Sequence, residues 1–133
     1  MIYALDTNIV SFILREDKNV IRRLRAAEKN GDEVIIPLMV FYEIRRGLIS
    51  AKATVKAAAF ERICKKVSKP NMTFADAEAA AHIYADLKKR GCLIPDDDLL
   101  IGAVCLANNY TLVTDNLKHF NYINELNYTN WVE

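Results

Sequence analysis

Four acidic residues stand where short apolar segments of this chain begin or end. Asp6 closes the run Ile2-Tyr3-Ala4-Leu5 and is followed at once by Thr7-Asn8. Glu43 lies in Leu38-Met39-Val40-Phe41-Tyr42-Glu43-Ile44, after the apolar Val34-Ile35-Ile36 is broken by Pro37. Asp98 leads into Leu99-Leu100-Ile101-Gly102-Ala103-Val104-Cys105-Leu106, and Asp115 follows Thr111-Leu112-Val113-Thr114. A carboxylate held against such segments is costly unless something pairs it, and a divalent cation pairs several at once. Oxygen-only donors suit Mg²⁺ or Mn²⁺, which bind substrate phosphates through a few carboxylates and retain water. The chemistry they serve is phosphodiester hydrolysis, with water as nucleophile and the departing oxyanion stabilised. Thr7, Asn8 and Thr114 add neutral oxygens and amide donors beside the acids, suited to holding ligands in orientation.

Other chemistries lack their residues. A serine or cysteine nucleophile needs a base and an orienting third group, and here two histidines, His82 and His119, stand isolated with no Gly-x-Ser-x-Gly. His82 lies on an alanine-rich helix and reads as a packed or surface residue. The four glycines do not cluster, so no phosphate-cradling loop is indicated. Cys64, Cys92 and Cys105 are odd in number and widely spaced, which fits small core residues and neither a disulfide framework nor a zinc site.

The formal net charge of +1 hides an uneven distribution. Basic clusters occur at Arg22-Arg23-Arg25, Arg45-Arg46, Lys65-Lys66-Lys69 and Lys88-Lys89-Arg90. Most of these read as solvated helix faces or charges at helix C-termini. Arg45 and Arg46, close to Glu43, are the better candidates for function, as contacts to a substrate or a partner. No stretch approaches the roughly 18 uninterrupted apolar residues that span a membrane, and no leader-like segment is apparent, so a cytoplasmic protein is expected.

The elements that must position the acids follow from periodicity. Strands are expected at Ile2 to Leu5, Glu33 to Ile36 and Thr111 to Thr114, with a short one over Ser68 to Met72 and a last one over Glu125 to Tyr128. Helices are expected after Thr7 or Asn8 as cap, from about Lys18 to Lys29, from Pro37 to Gly47, from Ala53 to Val67, from Phe74 to Arg90 and after Asp98. Trp131 is expected to cover one end of the core. At 133 residues and 52% hydrophobic, the chain suits one domain, 1–133. Strands alternating with helices favour a mostly parallel sheet with helices on both faces, whose ligand crevice lies beyond the C-terminal strand ends.

At these residues the chain resembles the PIN-domain family, and in particular the VapC-type toxins of toxin-antitoxin pairs. Four blocks carry the resemblance: Leu5-Asp6-Thr7-Asn8, Glu43-Ile44-Arg45-Arg46-Gly47, Gly91-Cys92-Leu93-Ile94-Pro95-Asp96-Asp97-Asp98-Leu99-Leu100-Ile101, and Leu112-Val113-Thr114-Asp115-Asn116-Leu117-Lys118-His119-Phe120. The resemblance implies an α/β, PIN-like three-layer sandwich. It implies a metal-dependent endoribonuclease holding Mg²⁺ or Mn²⁺, in a homodimer silenced by a small cognate antitoxin. By matching position Asp6, Glu43 and Asp98 are the central acids, and Asp96 and Asp97 cap the helix or add negative potential. The fourth block departs from the simplest family form, whose last acid stands two places after the threonine, where this chain has Asn116. On charge, Asp115 is the better direct ligand, and Asn116 would hold water or phosphate by hydrogen bonds. The expected catalytic set is therefore Asp6, Glu43, Asp98 and Asp115, with metal ligation by Asp6, Asp98 and Asp115.

Two other functions share part of the pattern. A housekeeping RNA-processing nuclease would use the same fold and acids. A phosphate-accepting receiver-like signalling module also gathers acids around Mg²⁺ at strand ends, but it starts with paired acids and needs a lysine at a late strand end, where this chain has Asp115.

Overall fold

The apolar run Ile2–Leu5 forms β1, an inner strand of a parallel four-stranded sheet ordered β2-β1-β3-β4 in this computed structural model, which describes residues 1–133. β2 is Glu33–Ile35, β3 Thr111–Val113 and β4 Tyr128–Thr129. Seven helices connect and cover the strands: α1 Thr7–Leu14, α2 Lys18–Lys29, α3 Leu38–Ser50, α4 Thr54–Lys66, α5 Phe74–Arg90, α6 Asp96–Asn108 and α7 Leu117–Phe120.

Tyr3 pairs with Val34 and with Thr111, while Ala4 pairs with Ile35 and Leu112. Side chains alternate along a strand, so Tyr3, Leu5 and Val34 share one face, and Ala4, Ile35 and Leu112 the other. Leu5 and Val34 line a space shared with Ile13 and Leu14 of α1 and Ile21 and Leu24 of α2. The chain moves to one side of β1 to reach β2 and to the other to reach β3. Right-handed crossovers therefore send the connections to opposite faces. The same reversal opens a crevice between the C-terminal ends of β1 and β3.

Several elements form where their sequences indicate. α5 begins with a full capping box, in which Thr73 Oγ1 accepts from the Asp76 amide and Asp76 accepts from the Thr73 amide, and it ends at Gly91 with φ 71°. Trp131 is buried and meets Tyr3 edge-on at 5.2 Å. Others differ. Asp6, rather than Thr7 or Asn8, caps α1, accepting from the Thr7 amide. α3 runs through Gly47 to Ser50, since neighbouring packing at Ile44 and Leu48 outweighs the roughly 0.5–1 kcal/mol a helical glycine costs. Ser68 to Met72 makes a single parallel bridge, Ser68 to Ile35, because Pro70 cannot donate to a ladder. Pro95 stands at the N-cap of α6, so Asp96 and Asp97 make no capping hydrogen bond and act there only as charge. No helix is long and apolar enough to cross a membrane.

Candidate active site

Asp6 sits where β1 gives way to α1, and its amide bonds the Val113 carbonyl of the neighbouring strand. This pins the start of α1 against the end of β3 and leaves the Asp6 side chain only 4% exposed in the crevice. Both its oxygens are held: Oδ1 accepts from the Thr7 amide at 2.8 Å and Oδ2 from the buried Thr114 hydroxyl at 2.8 Å. Burial lifts its pKa from 3.8 to about 6, the negative charges of Asp98 and Glu43 push the same way, and the two hydrogen bonds only partly offset them.

Glu43 reaches the same place from the second turn of α3, where its Oε2 accepts from the Thr7 hydroxyl at 3.2 Å. Asp98 arrives from the first turn of α6, where the helix dipole favours negative charge. Its Oδ2 accepts from Asn116 Nδ2 at 3.3 Å and stands 2.5 Å from His119 Nδ1. His119 Nδ1 is also 2.9 Å from Asn116 Nδ2. An ionised carboxylate only accepts, so we assign the ring proton to Nδ1, directed at Asp98; the amide donates to Asp98 as well, and its approach to Nδ1 is a contact between two donors and not a hydrogen bond.

A glycine one turn further along α6 faces the same segment. A Cβ on Gly102 would lie 2.5 Å from Ile123 Cδ1, so the Ile123 side chain packs into the space the glycine leaves. Residues four apart share a helix face, and Asp98 and Gly102 both face α7, one meeting His119 and the other Phe120 and Ile123. His119 is thus a site residue that isolation in the sequence concealed. Its signal was the Asn116-to-His119 spacing of three, one turn of the short helix. His82, by contrast, is a surface residue beside Glu78.

Asn116 and Asp115 diverge. The Asn116 amide bonds the Thr114 hydroxyl at 2.9 Å and its side chain turns to Asp98. Asp115 turns outward, accepting from Asn8 Nδ2 at 3.1 Å in an exposed pair. The structure thus brings together Asp6, Glu43, Asp98, Thr7, Thr114, Asn116 and His119, and places Asp115 with Asn8 at the rim. Arg45 and Arg46 stand apart. The Arg46 guanidinium lies 5.1 Å over the exposed Tyr42 ring. Arg45 faces α4, where burial raises the Cys64 thiol while Lys69 and Arg45 act in the opposite sense.

No Lys or Arg nitrogen is within ion-pair distance of Asp6, Glu43, Asp98 or Asp115. The acids do not close on one point either, for no three acidic, histidine or cysteine side chains stand in ligating geometry. The donor set still fits a hard divalent cation: oxygens only, one buried carboxylate whose charge is opposed by two neighbours, and no lysine or arginine to balance them.

A parallel α/β sheet with its acids gathered at the crevice between β1 and β3 defines the class of protein. Within that class, the model of the PIN domain matches residues 3–125, and this chain belongs to the PIN-domain family. It is 30% identical to Ribonuclease VapC2 of Rickettsia felis, with 98% of each chain covered. It is 26% identical to Ribonuclease VapC1 of Haemophilus influenzae strain R2866 over the whole of both chains. Among solved structures it is similar to VapBC2 from Rickettsia felis bound to a DNA fragment from their promoter, with a TM-score of 0.91, 26% identity, and coverage of 98% of this chain and 99% of that one.

Proposed function

We propose that this chain is a metal-dependent endoribonuclease and the toxin of a VapBC-type pair, acting in the cytoplasm as one PIN domain, 1–133, in a homodimer silenced by a small antitoxin. The observation that carries the reading is the convergence of Asp6, Glu43 and Asp98 at the crevice with no lysine or arginine to balance them. The full-length likeness to ribonucleases of the VapC type supports RNA as substrate.

Asp6, Glu43 and Asp98 would hold Mg²⁺ or Mn²⁺, with Asp115 adding charge at the rim. When bound, such an ion supplies charge neutralisation at the phosphate and a more acidic water for phosphodiester hydrolysis. The chain's own residues do the rest. Thr7 and Thr114 hold the carboxylates of Glu43 and Asp6 in fixed rotamers, so little reorganisation is needed when the charge arrives. His119 and Asn116 both occupy Oδ2 of Asp98, which leaves its Oδ1 free of protein donors. Asn8 keeps the Asp115 carboxylate facing the rim. An antitoxin that closes this cleft would do so best with an inserted arginine, whose fork pairs two carboxylates and excludes the cation.

The test is cleavage of cellular RNA by the purified chain with Mg²⁺, Mn²⁺ or excess chelator. Asp6→Asn and Asp98→Asn are expected to be folded and inactive, and chelator to abolish cleavage. Either variant cutting at the wild-type rate overturns the assignment. Expression of the chain alone is expected to arrest growth, and co-expression of the neighbouring small gene to restore it. Absence of a growth defect would instead make the chain an RNA-processing nuclease.

A further inference from the structure

Beside the acid cluster, and sharing Thr7 and Glu43 with it, lies a pocket of about 380 Å³ between α1, α3 and the first turn of α4. This is within the roughly 300–1,000 Å³ of small-ligand sites. Its polar wall consists of Ser11, Arg15 and Lys56, and Gly47 forms part of its floor. Arg15 and Lys56 are exposed and neither is paired with a carboxylate. The Arg15 guanidinium rests 4.5 Å from the centre of the Phe12 ring, which fixes its stem while leaving its donors free.

Two features of the pocket have no structural use. Lys56 is in the first turn of α4, where a cation opposes the helix dipole and weakens the helix. Gly47 lies inside α3 and has nothing within 4 Å of the position a Cβ would take, so no packing or turn requires a glycine there. Both make sense for an anionic occupant that comes close to the α3 backbone. A polyanion brought to a cluster of carboxylates is repelled unless cations flank them, and the cations bordering Glu43 in this pocket are Arg15 and Lys56, not Arg45 and Arg46.

We propose that this pocket holds the backbone phosphate and ribose of an RNA nucleotide adjoining the one that is cut, with Arg15 and Lys56 as binding cations, Ser11 as a hydroxyl donor and Gly47 leaving room for the sugar. The proposal rests on the ribonuclease reading above. Arg15 and Lys56 hold the strand and do not touch the reacting phosphate, so they act on KM and not on kcat.

The experiment compares KM, kcat and their salt dependence on a single-stranded RNA oligonucleotide with Mn²⁺ for wild type, Arg15→Gln, Lys56→Gln, the double variant, Gly47→Leu and Arg46→Gln. Loss of both cations is expected to raise KM about tenfold or more with kcat nearly unchanged, and to flatten the log–log salt slope by about 0.7, the value for one phosphate on a single strand. Gly47→Leu is expected to raise the melting temperature, as leucine does for glycine in a helix, and yet to raise KM. A merely structural role would not give that combination. Arg46→Gln is expected to match wild type. A double variant with wild-type KM and salt slope overturns the proposal while leaving the ribonuclease reading intact. Weaker binding to the antitoxin with unchanged KM also overturns it, and gives the pocket to the partner. If wild type cuts no RNA with any divalent cation, the ribonuclease reading fails and this proposal with it.

Discussion

Replacing Asp6 by asparagine is expected to make the metal-free protein more stable above pH 6, and to do so because the site is built for a cation. Burial, reinforced by Asp98 and Glu43, raises the Asp6 pKa from 3.8 to about 6. Between those values the folded chain binds more protons than the unfolded one, so stability falls as pH rises through the window, and the full penalty is present above about pH 6. The lift corresponds to about 3 kcal/mol. Asp6→Asn removes the charge and keeps a side-chain oxygen that can still accept from the Thr7 amide. The loss is at Thr114, whose hydroxyl proton no longer has Oδ2 to donate to, a cost of about 1–2 kcal/mol. The net expectation is a gain of about 1–2 kcal/mol at pH 7.5, or roughly 3–6 °C in Tm for a chain of this size. Near pH 4, where folded Asp6 is already protonated, no gain is expected. Urea denaturation in EDTA from pH 4 to 8 measures the difference. Added Mn²⁺ at about 100 times its Kd should then stabilise wild type by about 2.7 kcal/mol and the variant far less. A variant less stable than wild type at pH 7.5, or a gain that does not grow with pH, refutes the claim that the fold holds this charge at a cost.

His119→Ala frees Asp98 Oδ2 from its ring donor and is expected to weaken cation affinity and cleavage by roughly 10–100-fold, read by titrating Mn²⁺ against rate. Asp115→Ala is expected to reduce cleavage by less than Asp6→Asn or Asp98→Asn, with Asn116→Ala also impaired. Assays across a Mg²⁺ series decide this: wild-type behaviour of Asp115→Ala at every concentration with a dead Asn116→Ala would show that position outranks charge. Asp76→Ala removes the reciprocal half of the α5 capping box and the acceptor for Asn108 Nδ2, so a loss of about 2–3 kcal/mol in urea is expected with cleavage intact where the variant stays folded.

The fold was legible wherever local chemistry set it. The helix from Phe74 to Arg90 carries a capping box at one end and a left-handed glycine at the other, and its limits could be read directly. The same reasoning failed at Gly47, because a glycine stops a helix only when nothing buries the residues beyond it, and Leu48 is buried. It overreached at Ser68 to Met72, read as a short strand, where pairing stops at the single bridge of Ser68 with Ile35 because Pro70 cannot donate to a ladder. The β1/β3 crevice was legible as a type but not as a place, since it depends on strand order, and order is set by contacts such as that of Asp6 with Val113, which lie far apart in sequence.

Asp115 and Asn116 are set apart by the structure, which charge alone does not do. Thr114 points to Asp6, and the chain bends at Asp115, where the Asn116 amide donates to the Thr114 hydroxyl. The bend carries the Asn116 side chain to Asp98 and leaves Asp115 with Asn8. The inner cluster then contains three carboxylates and an amide, with the fourth carboxylate at the rim. The electrostatic consequence is specific. A fourth inner carboxylate would have raised the Asp6 pKa still further and deepened the repulsion that a cation must relieve, whereas an amide donates to Asp98 and lessens it. Asn116→Asp should accordingly destabilise the metal-free fold above pH 6 while strengthening its hold on Mn²⁺, opposite in both respects to Asp6→Asn.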